Sequence, residues 1–113
     1  MSAGYLVKLV RDGIPALLKG EGTLTYEPMP KEEHVKHLRR KLVEEAMEYV
    51  TDPSVGELGD VLAVVRDLAV VDLGVEWEDV FAAERRKRRV RGGFADGIGM
   101  YGRHPSDTDR WPA

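Results

Sequence analysis

The side chains best placed to do chemistry are carboxylates. They fall in two groups eight residues apart, Glu44-Glu45-Ala46-Met47-Glu48 and Glu57-Leu58-Gly59-Asp60. On a helix, residues three and four apart are neighbours on one face. Glu45 and Glu48 therefore share a face, as do Glu57 and Asp60, and Glu44 joins Glu48 through a spacing of four. If a short connection folds the two stretches into antiparallel helices, four carboxylates converge near the loop end of a hairpin, with Glu44 beside them. Like charges held so close raise the cost of ionising them all. A hard divalent cation removes that cost, and Mg²⁺ or Mn²⁺ suits oxygen ligands. Mg²⁺ also keeps waters and recruits substrate phosphates, so the site points to a phosphorylated substrate. Taken singly, each residue has a plainer reading. Glu44, Glu45 and Glu48 fit a solvated face with Lys41 pairing Glu44 or Glu45, and Glu57 fits a helix cap. The set favours the metal, because Met47, Leu58 and their apolar neighbours place the carboxylates on helices expected to be largely buried.

The elements that must position these groups are legible in the spacing of apolar residues. Val35, Leu38, Leu42, Ala46 and Tyr49 recur every three or four positions, which predicts a helix over 31–50 after Pro30. Thr51-Asp52-Pro53 ends it, since the residue before a proline resists the helical region. Ser54-Val55-Gly56-Glu57 has the spacing of a capping box and opens a second helix running to about Leu73, with Gly74 as its stop. The run Val61–Val65 is apolar on nearly every face, and a helix of that kind must be covered all round. Three helices in one small chain can hardly do so, which predicts a second copy of the chain. A third helix is expected over 76–91, anchored by Trp77, Val80 and Phe81 and closed by Gly92-Gly93. Residues 5–29 leave room for a short helix and a short strand, and 98–101 for another strand. The expected fold class is all-α: an antiparallel helix bundle completed by homo-oligomerisation, with short irregular or β segments at the termini. One domain over 1–102 is followed by a polar tail, 103–113.

Composition narrows the classes further. The chain has 113 residues, 17 Lys+Arg against 20 Asp+Glu, and no cysteine. Zero cysteines exclude a disulfide scaffold, a thiolate zinc site and a cysteine nucleophile. The opening MSAGYLVKLVRDG places charges where a signal peptide needs an apolar run. Arg66 and Asp67 break the longest central apolar stretch, far short of the roughly 20 residues that span a bilayer. A soluble, cytoplasmic protein without membrane contact is the expectation. The net charge of −3 gives no global pull toward nucleic acid. Six of the 17 cations, however, crowd into Arg85, Arg86, Lys87, Arg88, Arg89 and Arg91. This is a local patch on an otherwise acidic protein.

The pattern EExxE followed by ExxD resembles the all-α nucleoside triphosphate pyrophosphohydrolase superfamily, the MazG-like proteins. Two further stretches resemble its phosphoribosyl-ATP pyrophosphohydrolase-like "house-cleaning" branch. These are Lys8-Leu9-Val10-Arg11-Asp12-Gly13-Ile14-Pro15, similar to a KLVRDxIP opening, and Lys87 with Arg91-Gly92-Gly93-Phe94, similar to a KxxxRGGF close. The motifs stand in the expected order across roughly residues 5–101. The resemblance implies a homodimer or tetramer with helix-bundle sites and Mg²⁺-dependent hydrolysis of a nucleoside triphosphate to the monophosphate and pyrophosphate. It further implies clearance of non-canonical nucleotides. Carried onto this sequence, it makes Glu45, Glu48, Glu57 and Asp60 metal ligands and Glu44 and Glu45 the catalytic carboxylates. Glu44 would bind a further metal or orient and deprotonate the attacking water. Lys87 and Arg91 would neutralise phosphates, with Lys8 and Arg11 as further phosphate contacts. Gly13 stands where relatives usually carry Lys, and Ala63 where many carry another Glu; neither is one of the four ligands.

Other residues have two readings. Lys8, Arg11 and Asp12 can meet substrate or form a structural salt bridge to the bundle. His34 and His37 share a helix face but lack a third ligand near them in sequence, so a solvated or interface face is favoured over a metal site. Trp77 and Phe81 fit core packing better than base stacking. The rival from another class is a non-catalytic oligomeric module that binds nucleic acid or nucleotides through the basic 85–91 segment. Such binding would weaken steeply with salt.

Overall fold

The computed structural model describes residues 6–18, 22 and 24–103. Among these the chain is all-helical, with no strand: α1 (Ile14–Leu17), α2 (Lys31–Thr51), α3 (Val55–Val71) and α4 (Trp77–Arg91). Residues 98–101 are irregular, and residues 104–113, nearly all of the expected tail, lie outside the described part. The structure divides into two compact units, Met1–Trp77 and Glu78–Ala113.

In the first unit, local chemistry sets the boundaries of the hairpin. Pro30 is the N-cap of α2, and its carbonyl accepts the His34 N–H at 2.9 Å. Glu32 and Glu33 sit in the first turn, where the helix dipole favours negative charge. At the other end the Asp52 N–H donates to the Glu48 carbonyl, and Pro53 prevents another turn. Ser54 then caps α3, its Oγ accepting the Glu57 N–H at 3.0 Å. α3 ends at Val71, two residues before the expected Leu73. Gly74, at φ 65°, takes the left-handed conformation that closes the helix, and its N–H donates to Val70 while Val75 donates to Ala69. With only three residues, Asp52 to Ser54, between them, α2 and α3 fold back and pack on each other.

That packing gives a thin core. Leu38, Val64 and Ala69 are the buried hydrophobic residues among those described. Val35, Leu42 and Tyr49 of the expected α2 stripe are half-buried, and Ala46 is exposed. A second row on α2, Val43, Met47 and Val50, faces out, as do Leu58 and Leu62 on α3. Met47 is 60% exposed and Leu58 53%. The expectation that these two bury themselves around the carboxylates is therefore not met within a single chain. At the end away from the loop, Arg39 grips Asp72 through two bonds of 2.8 Å. The Arg66 guanidinium lies 5.4 Å from the centre of the Trp77 ring, which is half-buried and not one of the buried core residues.

In the second unit, the cations gather in the last turn of α4, where the helix dipole suits them. Arg88 pairs with Glu84 one turn back at 3.2 Å, and the Arg85 guanidinium lies over Phe81. Phe81 is 44% exposed, so it is a ring under a guanidinium at the surface rather than a core residue. The two glycines of the closing motif do different things. Gly92 adopts φ 79°, which ends the helix, while at Gly93 the Arg88 guanidinium lies where a Cβ would stand and would have to shift for one. Among the described residues no helix is long and apolar enough to cross a membrane.

Candidate functional site

Three of the predicted metal ligands meet. Glu45 on α2 and Glu57 and Asp60 on α3 each offer a carboxylate oxygen within 4.8 Å of the other two. All three are half-buried. Opposite oxygens around a cation bound at about 2.1–2.5 Å stand roughly 4–5 Å apart, so the cluster has the scale of a Mg²⁺, Mn²⁺ or Ca²⁺ site. The local folding explains why these groups converge. Glu57 is three residues past the cap and Asp60 one turn further, on the side of α3 that meets α2 near the short loop. Glu48, the fourth predicted ligand, stands outside the set at the exposed surface, one turn from Glu45.

Electrostatics within the cluster are uneven. Burial, followed by the carboxyl of Glu48 beside it, pushes the Glu45 carboxyl above the ordinary carboxylate range. Lys41, with Nζ 3.5 Å from Glu45 Oε1, pulls it part of the way back. Asp60 is held from the other side: Arg11 Nη2 donates to its Oδ1 at 2.5 Å, across 49 residues of sequence. Of the two readings open for Arg11, this structure displays the salt bridge. Two oxygens are left over. Glu45 Oε2 and Glu57 Oε2 are shielded from solvent and have no hydrogen-bond partner. A buried, unsatisfied carboxylate oxygen costs free energy and calls for a donor or an ion. A divalent cation could supply the missing partner, and for Glu45 so could a proton shared with the neighbouring Glu48 carboxyl. Glu57 has this oxygen to offer because Ser54 caps α3 with its hydroxyl alone; the return half of a capping box is not formed.

The remaining predicted residues fall elsewhere. Glu44 is exposed and lines a cavity of about 300 Å³ with Lys8, Lys41, Arg40 and His37, against the chain from Leu6 to Leu9. Lys8 thus stands on the α2 side of this unit with Glu44. His37 Nε2 lies 3.7 Å from Glu33 Oε2, and no His cluster able to hold a metal occurs among the described residues. In the second unit, Lys87 is exposed on α4, and Arg91 borders a cavity of about 330 Å³ with Gly92, Gly93 and Phe94.

Sequence reasoning missed two things. Arg40 belongs to the first cavity with His37, which the sequence marks only as a face-mate of His34. Nothing in their spacing places either at a cavity, because the other wall is an irregular segment with no period to read. The outward row Val43-Met47-Val50 was legible, since its spacings of four and three repeat those of the inward stripe. Comparison with family models, curated proteins and solved structures returned no match. What fold and site define is therefore a class: an all-helical chain whose central hairpin brings acidic side chains of two helices together.

Proposed function

We propose that this chain is a divalent-metal-dependent nucleoside triphosphate pyrophosphohydrolase of the MazG-like type, acting on non-canonical nucleotides. The observation that carries the reading is the meeting of Glu45, Glu57 and Asp60 with two buried, unpartnered oxygens. It is supported by the ordered motifs at Lys8–Pro15, Glu44–Glu48, Glu57–Asp60 and Lys87–Phe94. Glu45, Glu57 and Asp60 would hold Mg²⁺ or Mn²⁺, with Glu48 joining by rotation of its exposed side chain. Bound there, the ion supplies Lewis-acid polarisation of phosphate oxygens and acidifies water. Glu44, next to the cluster and open to solvent, takes the proton of the attacking water. The water oxygen bonds to the α-phosphorus as the bond from that phosphorus to the bridging oxygen breaks, and the electron pair leaves with pyrophosphate. Arg11 and Lys41, which pair with two of these carboxylates, would turn to phosphate oxygens, and the resemblance alone gives Lys87 and Arg91 a phosphate-neutralising role.

The reading includes a homo-oligomer, dimer or tetramer, in which a second copy covers Val43, Met47, Val50, Leu58 and Leu62. Its support is the contrast between three buried hydrophobic side chains and the apolar rows left in solvent. A soluble, cytoplasmic setting belongs to the same proposal.

The deciding experiment is product analysis on a panel of canonical and modified nucleoside triphosphates with and without Mg²⁺. Pyrophosphate and monophosphate, released only with metal, are the expected products. Orthophosphate release, or no turnover of any nucleotide, would overturn the reading. Metal-independent, steeply salt-dependent binding of RNA or DNA would instead favour the exposed cations of 85–91 as the working surface.

A further inference from the structure

The cations of the first unit fall into two sets. Lys36 pairs with Glu33, Arg39 with Asp72, Lys41 with Glu45 and Arg11 with Asp60. Lys8, Lys31, Arg40 and Arg66 reach no carboxylate in an ion pair among the described residues. Arg66 lies over Trp77 and Lys31 stands apart on the first turn of α2, which leaves Lys8 and Arg40. Both line the same cavity of about 300 Å³, together with Lys41 and the half-buried His37. A single carboxylate, Glu44, shares that lining, and although it lies one turn from Arg40 the two do not pair. Like charges around a concave space repel, and low-dielectric walls strengthen that repulsion. The half-buried Leu9 supplies one such wall here, while Leu6 is more than half exposed. A multiply charged anion relieves it, and a guanidinium beside ammonium groups is a suitable donor set for phosphate oxygens.

Size and position narrow the anion. Ligand pockets run from about 300 to 1,000 Å³, so this cavity is at the small end and suits a compact anion rather than a whole nucleotide. It adjoins the carboxylate cluster through two links: Lys41 lines the cavity and pairs with Glu45, and Glu44 lines it from the position next to Glu45. We infer that the cavity is a pyrophosphate subsite, with Lys8 and Arg40 as its principal donors and Lys41 as the residue shared with the carboxylate cluster. The choice of occupant rests on the pyrophosphohydrolase reading; the cationic lining does not. The same group can arrive as the distal phosphates of a nucleoside triphosphate or as the free product.

The test is calorimetric titration of the full chain with inorganic pyrophosphate in the presence of EDTA. Saturable binding is expected, weakened at least 10-fold in Arg40→Gln and further in the double variant with Lys8→Gln. Lys31→Gln, an exposed cation on the same helix outside the cavity, should bind as the wild type does. No binding, or equal binding by wild type and double variant, overturns the subsite. Competition separates the sources: an α,β-methylene nucleoside triphosphate should displace pyrophosphate, and the corresponding monophosphate should not. Displacement by both alike overturns the assignment to the distal phosphates. The two proposals fail separately. Pyrophosphate binding in EDTA without turnover of any nucleotide sinks the enzymatic reading alone. Metal-dependent turnover with unimpaired pyrophosphate binding in the double variant sinks the subsite alone.

Discussion

At the end of the α2–α3 hairpin away from its loop, Arg39 meets Asp72 in a two-pronged bond, and the buried Leu38 and Ala69 lie within a turn of that pair. At the loop end, Glu45, Glu57 and Asp60 gather with two oxygens left unpartnered, and Met47, Val50 and Leu58 stand in solvent. The same two helices thus carry one end where the facing charged groups are paired beside buried core residues, though Val70 and Leu73 there stay exposed. At the other end two carboxylate oxygens lack a partner and none of the described apolar side chains is buried. The difference is informative because folding alone would favour the first arrangement throughout. An end that departs from it in charge and in burial together is incomplete in two respects, and the proposed cation and second copy each supply one.

The comparison can be broken most directly at the loop end. Asp60→Asn or Glu57→Gln should lower metal-dependent pyrophosphate release by about 100-fold or more, since even partners in the shell outside a metal's ligands are worth roughly 10–100-fold. Thermal melting without metal should change little, because the Arg11–Asp60 pair is exposed and such pairs contribute about 0.2–1 kcal/mol. A melting temperature that collapsed with the activity would place Asp60 among the groups that hold the fold.

At the other end the trade is reversed. Leu38→Ala should cost about 2–3 kcal/mol of stability in denaturant unfolding, near the low end for buried leucines because this core is thin. Once corrected for the folded fraction, activity should persist. Met47→Glu addresses the apolar half of the comparison. Placing a charge where a side chain is proposed to bury should weaken self-association by roughly 2 kcal/mol, or about 30-fold in the dissociation constant by sedimentation velocity. A wild type that sediments as a monomer at all concentrations removes the second copy from the account.

The smallest expected effect is in pH, and the two ends should respond with opposite sign. Glu45 titrates above the ordinary carboxylate range, so its stabilising contribution is full below that range and is lost as pH rises through the raised value. Asp72, held low by its hydrogen bond from Arg39, contributes above the ordinary range and loses that contribution as pH falls through the lowered value. Metal-free protein should therefore melt slightly lower as pH climbs just above the carboxylate range, and Glu45→Gln should remove that slope. Asp72→Asn should remove the opposite slope on the acid side. Added Mg²⁺ should cancel the first slope only, since a cation competes with the proton on Glu45.

How much of this was legible in the sequence follows from periodicity. The three-residue link, the Ser54 cap and the i, i+3 spacing of Glu57 and Asp60 are local, and they were enough to bring α2 and α3 together with acidic side chains at one end. The helices came out within a residue or two of their expected limits, apart from the four-residue α1, where only a short helix was anticipated. The pairing of Arg11 with Asp60 and the cavity around Arg40 depend on an aperiodic stretch, 6–13, lying against helices far along the chain. No spacing rule reaches across 49 residues. The exposure of Met47 and Leu58 was not anticipated either, because apolar residues at helical spacing say that something must cover them without saying whether it is the same molecule.

One small contact has a larger reach than its size. Because the Ser54 hydroxyl alone secures the first turn of α3, the acid three residues on is released from housekeeping within its own helix. Alanine at position 54 would not merely fray that turn. It would give the orphaned amides of the turn a reason to recruit the Glu57 side chain, and the trio would lose a member to its own backbone.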